Sequence, residues 1–172
     1  NAAKAVDMMA RHDKIYEATM RLGLCTDTGD ITGETLQTAA VPETIDEHVV
    51  RDTVLQFLGE GMQLPPMYSA VKINGVPLYK SARKGQIVER VPRPIVVHRI
   101  EVTGHPCATD YTLRIHCGKG TYVRVLLEDI GKALGTVATM AALRRTMASG
   151  YTLEHAYTFA EIQAAKDAGA LE

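Results

Sequence analysis

A strand-forming run from Tyr111 to Cys117 enters a glycine-rich corner, Gly118-Lys119-Gly120, and an amphipathic helix leaves it with Leu126, Leu127, Ile130 and Leu134 on one side. No other segment constrains the fold so tightly, because the helix needs an apolar surface to cover and the strand needs neighbours. The corner also aims Lys119, Tyr122 and Arg124 at one point. Such a point can hold a polyanion and a flat ring while one buried charge is neutralised. The plain reading is a strand-to-helix turn with Thr121 as N-cap. That reading leaves Arg124 unexplained, since an arginine in a first helical turn opposes the macrodipole and is kept there by an anionic partner. The spacing G-x-x-x-x-G-K-[ST] is missing, which disfavours a nucleotide-triphosphate loop.

The remaining segments divide between the same two periods. Asn1 to Arg11 reads as a short helix, and Lys14 to Leu24 as a half-buried strand with Tyr16, Ala18, Met20 and Leu22 on one face. Thr26-Asp27-Thr28-Gly29-Asp30 is a cluster of turn formers, in which Asp27 and Asp30 are read as capping their own backbone rather than as general bases. Thr44-Ile45-Asp46-Glu47 predicts a capping box with Thr44 as N-cap, opening a helix that stops at Gly59. Pro65-Pro66 begins an extended segment, Asn74-Gly75 predicts a hairpin turn, and Leu78 to Lys84 reads as one or two helical turns. Ile95 to Val102 and Tyr111 to Cys117 are expected strands joined by a loop containing Gly104 and Pro106. Ala141 to Ser149 is extended, and Thr158-Phe159-Ala160-Glu161 is a second capping box before a terminal helix. The predicted fold is α+β: a mainly antiparallel sheet flanked by helices, one domain with a lobe protruding over Pro65 to Arg93.

The formal net charge is −1, so a basic surface must be local. The lobe supplies one, with Lys72, Lys80, Arg83, Lys84, Arg90 and Arg93 interleaved with Tyr68 and Tyr79. Basic side chains meet phosphates and tyrosines stack on bases, although a solvated hairpin explains the same composition. Cys25, Cys107 and Cys117 are odd in number and lack C-x-x-C spacing, which points to reduced thiols in a cytoplasmic protein rather than a disulfide frame or zinc site. No apolar run reaches membrane-spanning length. His116 beside Cys117 invites a metal reading, but adjacent strand residues face opposite sides, so no metal is expected there.

Several separated motifs resemble one family, the TruB-type tRNA pseudouridine synthases, relatives of the dyskerin-type enzymes. They are Lys14-Ile15-Tyr16, Arg21-Leu22-Gly23 with Thr26-Asp27-Thr28-Gly29-Asp30, Pro65 to Lys72, Gly75 to Tyr79, Ala82 to Gly85, Cys117 to Arg124 with Glu128-Asp129-Ile130-Gly131, and Leu143-Arg144-Arg145-Thr146. The set is colinear over most of Asp13 to Tyr151. The resemblance implies a pseudouridine-synthase fold and isomerisation of the uridine at position 55 in the tRNA T-loop, by base flipping and an aspartate nucleophile, without metal or organic cofactor. It implies that Tyr16 stacks on the flipped base, that Tyr122 and Leu143 line the same pocket, and that Arg124 pairs with the nucleophilic aspartate. Lys119 would face RNA. The lobe of residues 65–93 would be the insertion that grips the tRNA elbow, with Lys72, Arg83 and Lys84 toward RNA, in a monomer whose partner is the T-stem-loop.

One part of the pattern is not met. The family's aspartate lies in a G-x-L-D loop well ahead of the tyrosine matching Tyr16, whereas Asp7 and Asp13, the aspartates that precede Tyr16 here, have no such context. Asn1-Ala2-Ala3-Lys4 resembles the segment that follows that loop. The expectation is therefore a portion of the catalytic domain, 1–172, without the nucleophile loop or the C-terminal PUA-like domain, and inactive alone. The alternative is a non-catalytic RNA-binding module of the same fold.

Overall fold

The computed structural model describes residues 13–170, and the helix expected over Asn1 to Arg11, with Asp7, lies outside them. The strands in chain order are β1 (Lys14–Leu22), β2 (Leu24–Thr26), β3 (Thr35–Thr38), β4 (Gly59–Gln63), β5 (Lys72–Ile73), β6 (Val76–Pro77), β7 (Arg93–Cys107), β8 (Asp110–Cys117), β9 (Ala138–Ala148) and β10 (Tyr151–Thr152). The helices are α1 (Glu47–Leu55), α2 (Leu78–Ala82), α3 (Val123–Ala133) and α4 (Phe159–Asp167). Six strands make one antiparallel sheet in the order β10-β9-β1-β8-β7-β4, with β2-β3 and β5-β6 as separate two-stranded ribbons.

Alternation in β1 and β8 decides which face of the sheet is covered. Ala18, Met20 and Leu22 of β1 and Tyr111, Leu113, Ile115 and Cys117 of β8 all point into one core. There α3 contributes Val123, Leu126, Leu127 and Ile130, and α1 contributes Val50 and Val54. Burying a side chain such as Leu127 or Ile130 stabilises the fold by about 1.5–3 kcal/mol each. The helix reaches the sheet closely because residue 131 is glycine: a Cβ there would lie 2.5 Å from the Cβ of Ala138 in β9. The opposite face is polar, with Glu17 and Arg114 exposed on β1 and β8. At its end Arg21 holds Asp110 through a two-pronged pair at 2.8 and 2.7 Å, and this hydrogen bonding keeps the Asp110 carboxyl below the usual carboxylate range.

The α+β sheet-and-helix architecture matches the sequence reading, and several local details differ. Gly23, at φ 82°, ends the first strand at Leu22, two residues early. Asp46 rather than Thr44 caps α1, accepting from the Val49 amide at 2.9 Å, so the capping box read at Thr44 is not formed. The helix ends at Leu55, and Gly59 opens an unforeseen edge strand, β4, whose Gly-Glu-Gly composition carries no strand signal. β7 runs on through Gly104 and Pro106, because register shifts against β8 absorb residues expected to form a loop. Thr121 does not cap α3; Tyr122 occupies that position without a side-chain cap.

Candidate active site

At the corner a pocket lies between the start of β1, the start of α3 and β9. Tyr16, Thr121, Tyr122, Val123, Arg124, Met140 and Leu143 line it, around a volume of about 390 Å³. Cross-strand register explains why residues distant in sequence meet there. Tyr16 pairs with Arg145 and Ala18 with Leu143, on the same face as the core. Tyr16 is partly buried, and that burial, with Cys117 nearby, pushes its hydroxyl up while Arg145 opposes the shift. Leu143 leaves 44% of its surface open, an apolar wall available to a flat ring.

Tyr122 is fastened through its backbone. Gln63, buried at the end of β4, accepts from the Tyr122 amide at 2.8 Å and donates to the Tyr122 carbonyl at 3.1 Å. The N-cap residue is thus held through its own backbone, while its side chain makes no bond to the helix. Nothing in the sequence around Gln63 marked it out. Its role depends on β4, the strand that composition hid.

Arg124 is half-buried beside Tyr122, its guanidinium carbon 5.9 Å from the ring centroid. Nη1 donates to the Thr28 carbonyl at 3.2 Å and Nη2 to the Tyr68 carbonyl. The arginine thus ties α3 to the turn at Thr26–Asp30 and to the root of the lobe. Among the described residues no carboxylate lies within ion-pairing distance of it. Glu128, one turn on, is pushed up by burial, with Arg124 and Lys132 pulling the other way. It lies under Gly29, at φ 69°, where a Cβ would meet the Glu128 carboxylate at 2.2 Å. That turn is self-supporting as expected: Asp27 accepts from the Glu34 amide at 2.8 Å and Asp30 from the Thr32 amide at 3.0 Å.

The remaining sequence candidates lie elsewhere. Lys119 is exposed at the apex of the corner and does not line the pocket. In the lobe, Asn74 and Gly75 both take positive φ and turn β5 into β6. Arg83 and Lys84 border a separate groove of about 580 Å³ with Lys80, and Arg83 sits 5.4 Å over the Tyr79 ring. Lys72 is exposed on the same lobe outside that lining.

On the opposite face of the sheet, directly behind Cys117, Asp13, His98 and His116 converge. One ligating atom from each lies within 4.8 Å of the others. His116 and Cys117 face opposite sides, as alternation requires, and the partners of His116 come from other strands.

The family model for the TruB family pseudouridylate synthase N-terminal domain matches residues 1–123, and that for the tRNA pseudouridylate synthase B C-terminal domain matches 124–170. Their junction falls at the first turn of α3, while the sheet is continuous across it, β9 lying beside β1. A tRNA pseudouridine synthase B of Burkholderia mallei (strain NCTC 10247) is 48% identical over 165 residues, 95% of this chain and 53% of the relative. One of Streptococcus pyogenes serotype M3 (strain SSI-1) is 41% identical over 166 residues, 94% and 56% of the two chains. This chain spans about half the length of these relatives. A chain in the crystal structure of a Cbf5-Nop10-Gar1 complex superposes with a TM-score of 0.69 at 27% identity, covering 99% of this chain and 42% of that one. A chain in an H/ACA RNP bound to a substrate RNA containing 2'-deoxyuridine shares the fold, with a TM-score of 0.65 at 22% identity over 99% and 40%.

Proposed function

The chain belongs to the TruB family of pseudouridylate synthases, and on that premise we propose that it forms the base-binding half of an enzyme that converts the uridine at position 55 in the tRNA T-loop to pseudouridine. The observation that carries this reading is the convergence of Tyr16, Tyr122, Leu143 and Arg124 on one pocket. Two aromatic rings and an open leucine suit a flat base taken out of its stack, at a cost of a few kcal/mol for the unstacking. The half-buried guanidinium suits an anion in a desolvated site.

The reaction is an isomerisation. The N1–C1′ glycosidic bond breaks, the C5–C1′ bond forms, the proton on C5 leaves and N1 gains one, so no oxidant or reductant is consumed. A carboxylate nucleophile held against Arg124 would stay ionised in that site, because the adjacent cation offsets desolvation. Tyr16, a neutral phenol whose burial pushes its hydroxyl further up, offers the base a stacking face without adding charge. Lys119 at the apex, with Lys72, Arg83 and Lys84 on the lobe, would meet phosphates of the folded T-stem-loop. Recognition of that kind reads shape more than sequence.

The test is tritium release from tRNA carrying a label at uridine C5, with the modified position mapped by carbodiimide and primer extension, using the full-length enzyme that carries this chain. Release confined to the T-loop position is expected. Modification at another site, or RNA binding with no release, would instead favour a different target or the non-catalytic binding module.

A further inference from the structure

We propose that Asp13, His98 and His116 form a divalent transition-metal site, of the kind that takes Zn²⁺, on the sheet face opposite the pocket. Asp13 immediately precedes β1, and His98 and His116 lie on β7 and β8, so the three residues sit at three adjacent strands. Register explains how they meet. Val97 pairs with Cys117 and Arg99 with His116, so His98 is the extra residue of a bulge and faces the same side as His116. Bulges commonly re-aim a side chain in this way.

The distances fit metal ligation better than direct hydrogen bonding. Nε2 of His98 lies 3.5 Å from one Asp13 oxygen, and Nε2 of His116 lies 3.7 Å from the other. Both exceed the 2.7–3.2 Å of an N–H···O bond. They approach the separation of about 3.3 Å between ligand atoms that a tetrahedral ion with bonds near 2.0 Å imposes. The two imidazoles are tilted by 53° at a centroid separation of 4.9 Å, with both Nε2 atoms turned toward the carboxylate. Nε2 of His116 is itself buried and has no hydrogen-bond partner among the described residues. A buried polar nitrogen of that kind is costly unless something pairs with it. Two imidazoles and a carboxylate suit borderline ions such as Zn²⁺ rather than Ca²⁺ or Mg²⁺, and the partly open side chains leave a coordination position for water.

Such an ion would clip β1, β8 and β7 together immediately behind the corner. His116 precedes Cys117 and Gly118, and a Cβ at Gly118 would lie 3.8 Å from His98 Nε2. Its role is therefore to hold the strand ends that present Tyr16 and the corner, not to take part in the isomerisation. The proposal is independent of the tRNA reading, because its readout is metal binding.

The experiment titrates ZnCl2 into the chelator-stripped chain by calorimetry and repeats the titration with Co²⁺ in the visible spectrum. One ion per chain is expected, with Co²⁺ bands of low coordination number and a rise in melting temperature. His98→Gln and Asp13→Asn should weaken binding at least tenfold and abolish the bands, while His48→Gln, an exposed histidine on α1, leaves both unchanged. In the wild type, Zn²⁺ should shift the imidazole resonances of His98 and His116 and spare His48, a readout that needs no variant to fold. Absence of saturable binding, equal affinity in His98→Gln, or resonance shifts confined to other histidines would overturn the proposal.

Discussion

At the corner, Tyr122 and Arg124 are half-buried and secured by atoms that lie 56 to 96 positions away in the sequence: Gln63, Thr28 and Tyr68. In the lobe, Lys72, Arg83 and Lys84 are exposed, and among the described residues none makes an ion pair. Arg83 has only the Tyr79 ring beneath it. The two regions are therefore suited to different tasks. A group that must stabilise a particular charge needs a fixed position in a poorly hydrated place, where electrostatic interactions are strong. A group that meets a phosphate backbone needs charge and reach, and exposure lets it adapt. The lobe nevertheless reports to the corner, since its root residue Tyr68 gives its carbonyl to Arg124.

Arg124→Ala in the full-length enzyme is the most severe way to break this contrast. On the proposed pairing of Arg124 with the nucleophile's carboxylate, removing one partner of a desolvated ion pair costs about 3–5 kcal/mol, so single-turnover rates should fall by two orders of magnitude or more while tRNA affinity changes little. Equal losses in rate and affinity would make Arg124 another phosphate contact, and the comparison would collapse. Gln63→Ala comes next. It leaves the Tyr122 amide and carbonyl without their side-chain partner, at about 1–3 kcal/mol. Thermal melting should show a matching loss, together with slower turnover. An unchanged melting temperature would mean that water replaces the glutamine without penalty.

The lobe should respond in the opposite sense. Combined Lys72→Ala, Arg83→Ala and Lys84→Ala should weaken tRNA binding by about tenfold at physiological salt. If all three meet phosphates, they should also flatten the dependence of log affinity on log salt by about two to three. The rate on bound tRNA should hold. A rate defect without a change in salt slope would assign these residues to the chemistry instead.

The smallest effect concerns Glu128, whose carboxyl is pushed up by burial in the folded state. A raised carboxylate binds its proton more tightly when folded, so its contribution to stability is present at low pH and is lost as pH rises through the folded value. Glu128→Gln should therefore melt slightly higher than wild type at pH 8. The advantage should vanish below about pH 4, where the wild-type carboxyl is protonated in both states. Asp110, held down by Arg21, has the opposite sign: its contribution is present at neutral pH and is lost as pH falls through its depressed value. Parallel melting curves for Glu128→Gln and wild type across that range would show that Lys132 and Arg124 offset the burial.

Elements whose reason is local were legible in the chain. The alternation of Tyr16, Ala18, Met20 and Leu22 became β1, Asn74-Gly75 became a hairpin turn, and Thr158 with Glu161 became a reciprocal cap on α4. Motif resemblance then supplied Tyr16, Tyr122, Leu143 and Arg124, and the fold brings those four to one pocket. Illegible were the features whose reason is a distant partner. β4 has no strand-like composition and exists because β7 offers it an edge. Gln63 matters only because β4 ends beside Tyr122.

The sequence by itself determined the periods, the turns and the family, because each follows from a residue and its near neighbours. The tertiary structure alone decided what Arg124 grips, what holds Tyr122, and which residues meet behind Cys117. Those outcomes depend on strand register. In β7 a single bulge sets His98 beside His116, and no local preference of the chain encodes that meeting.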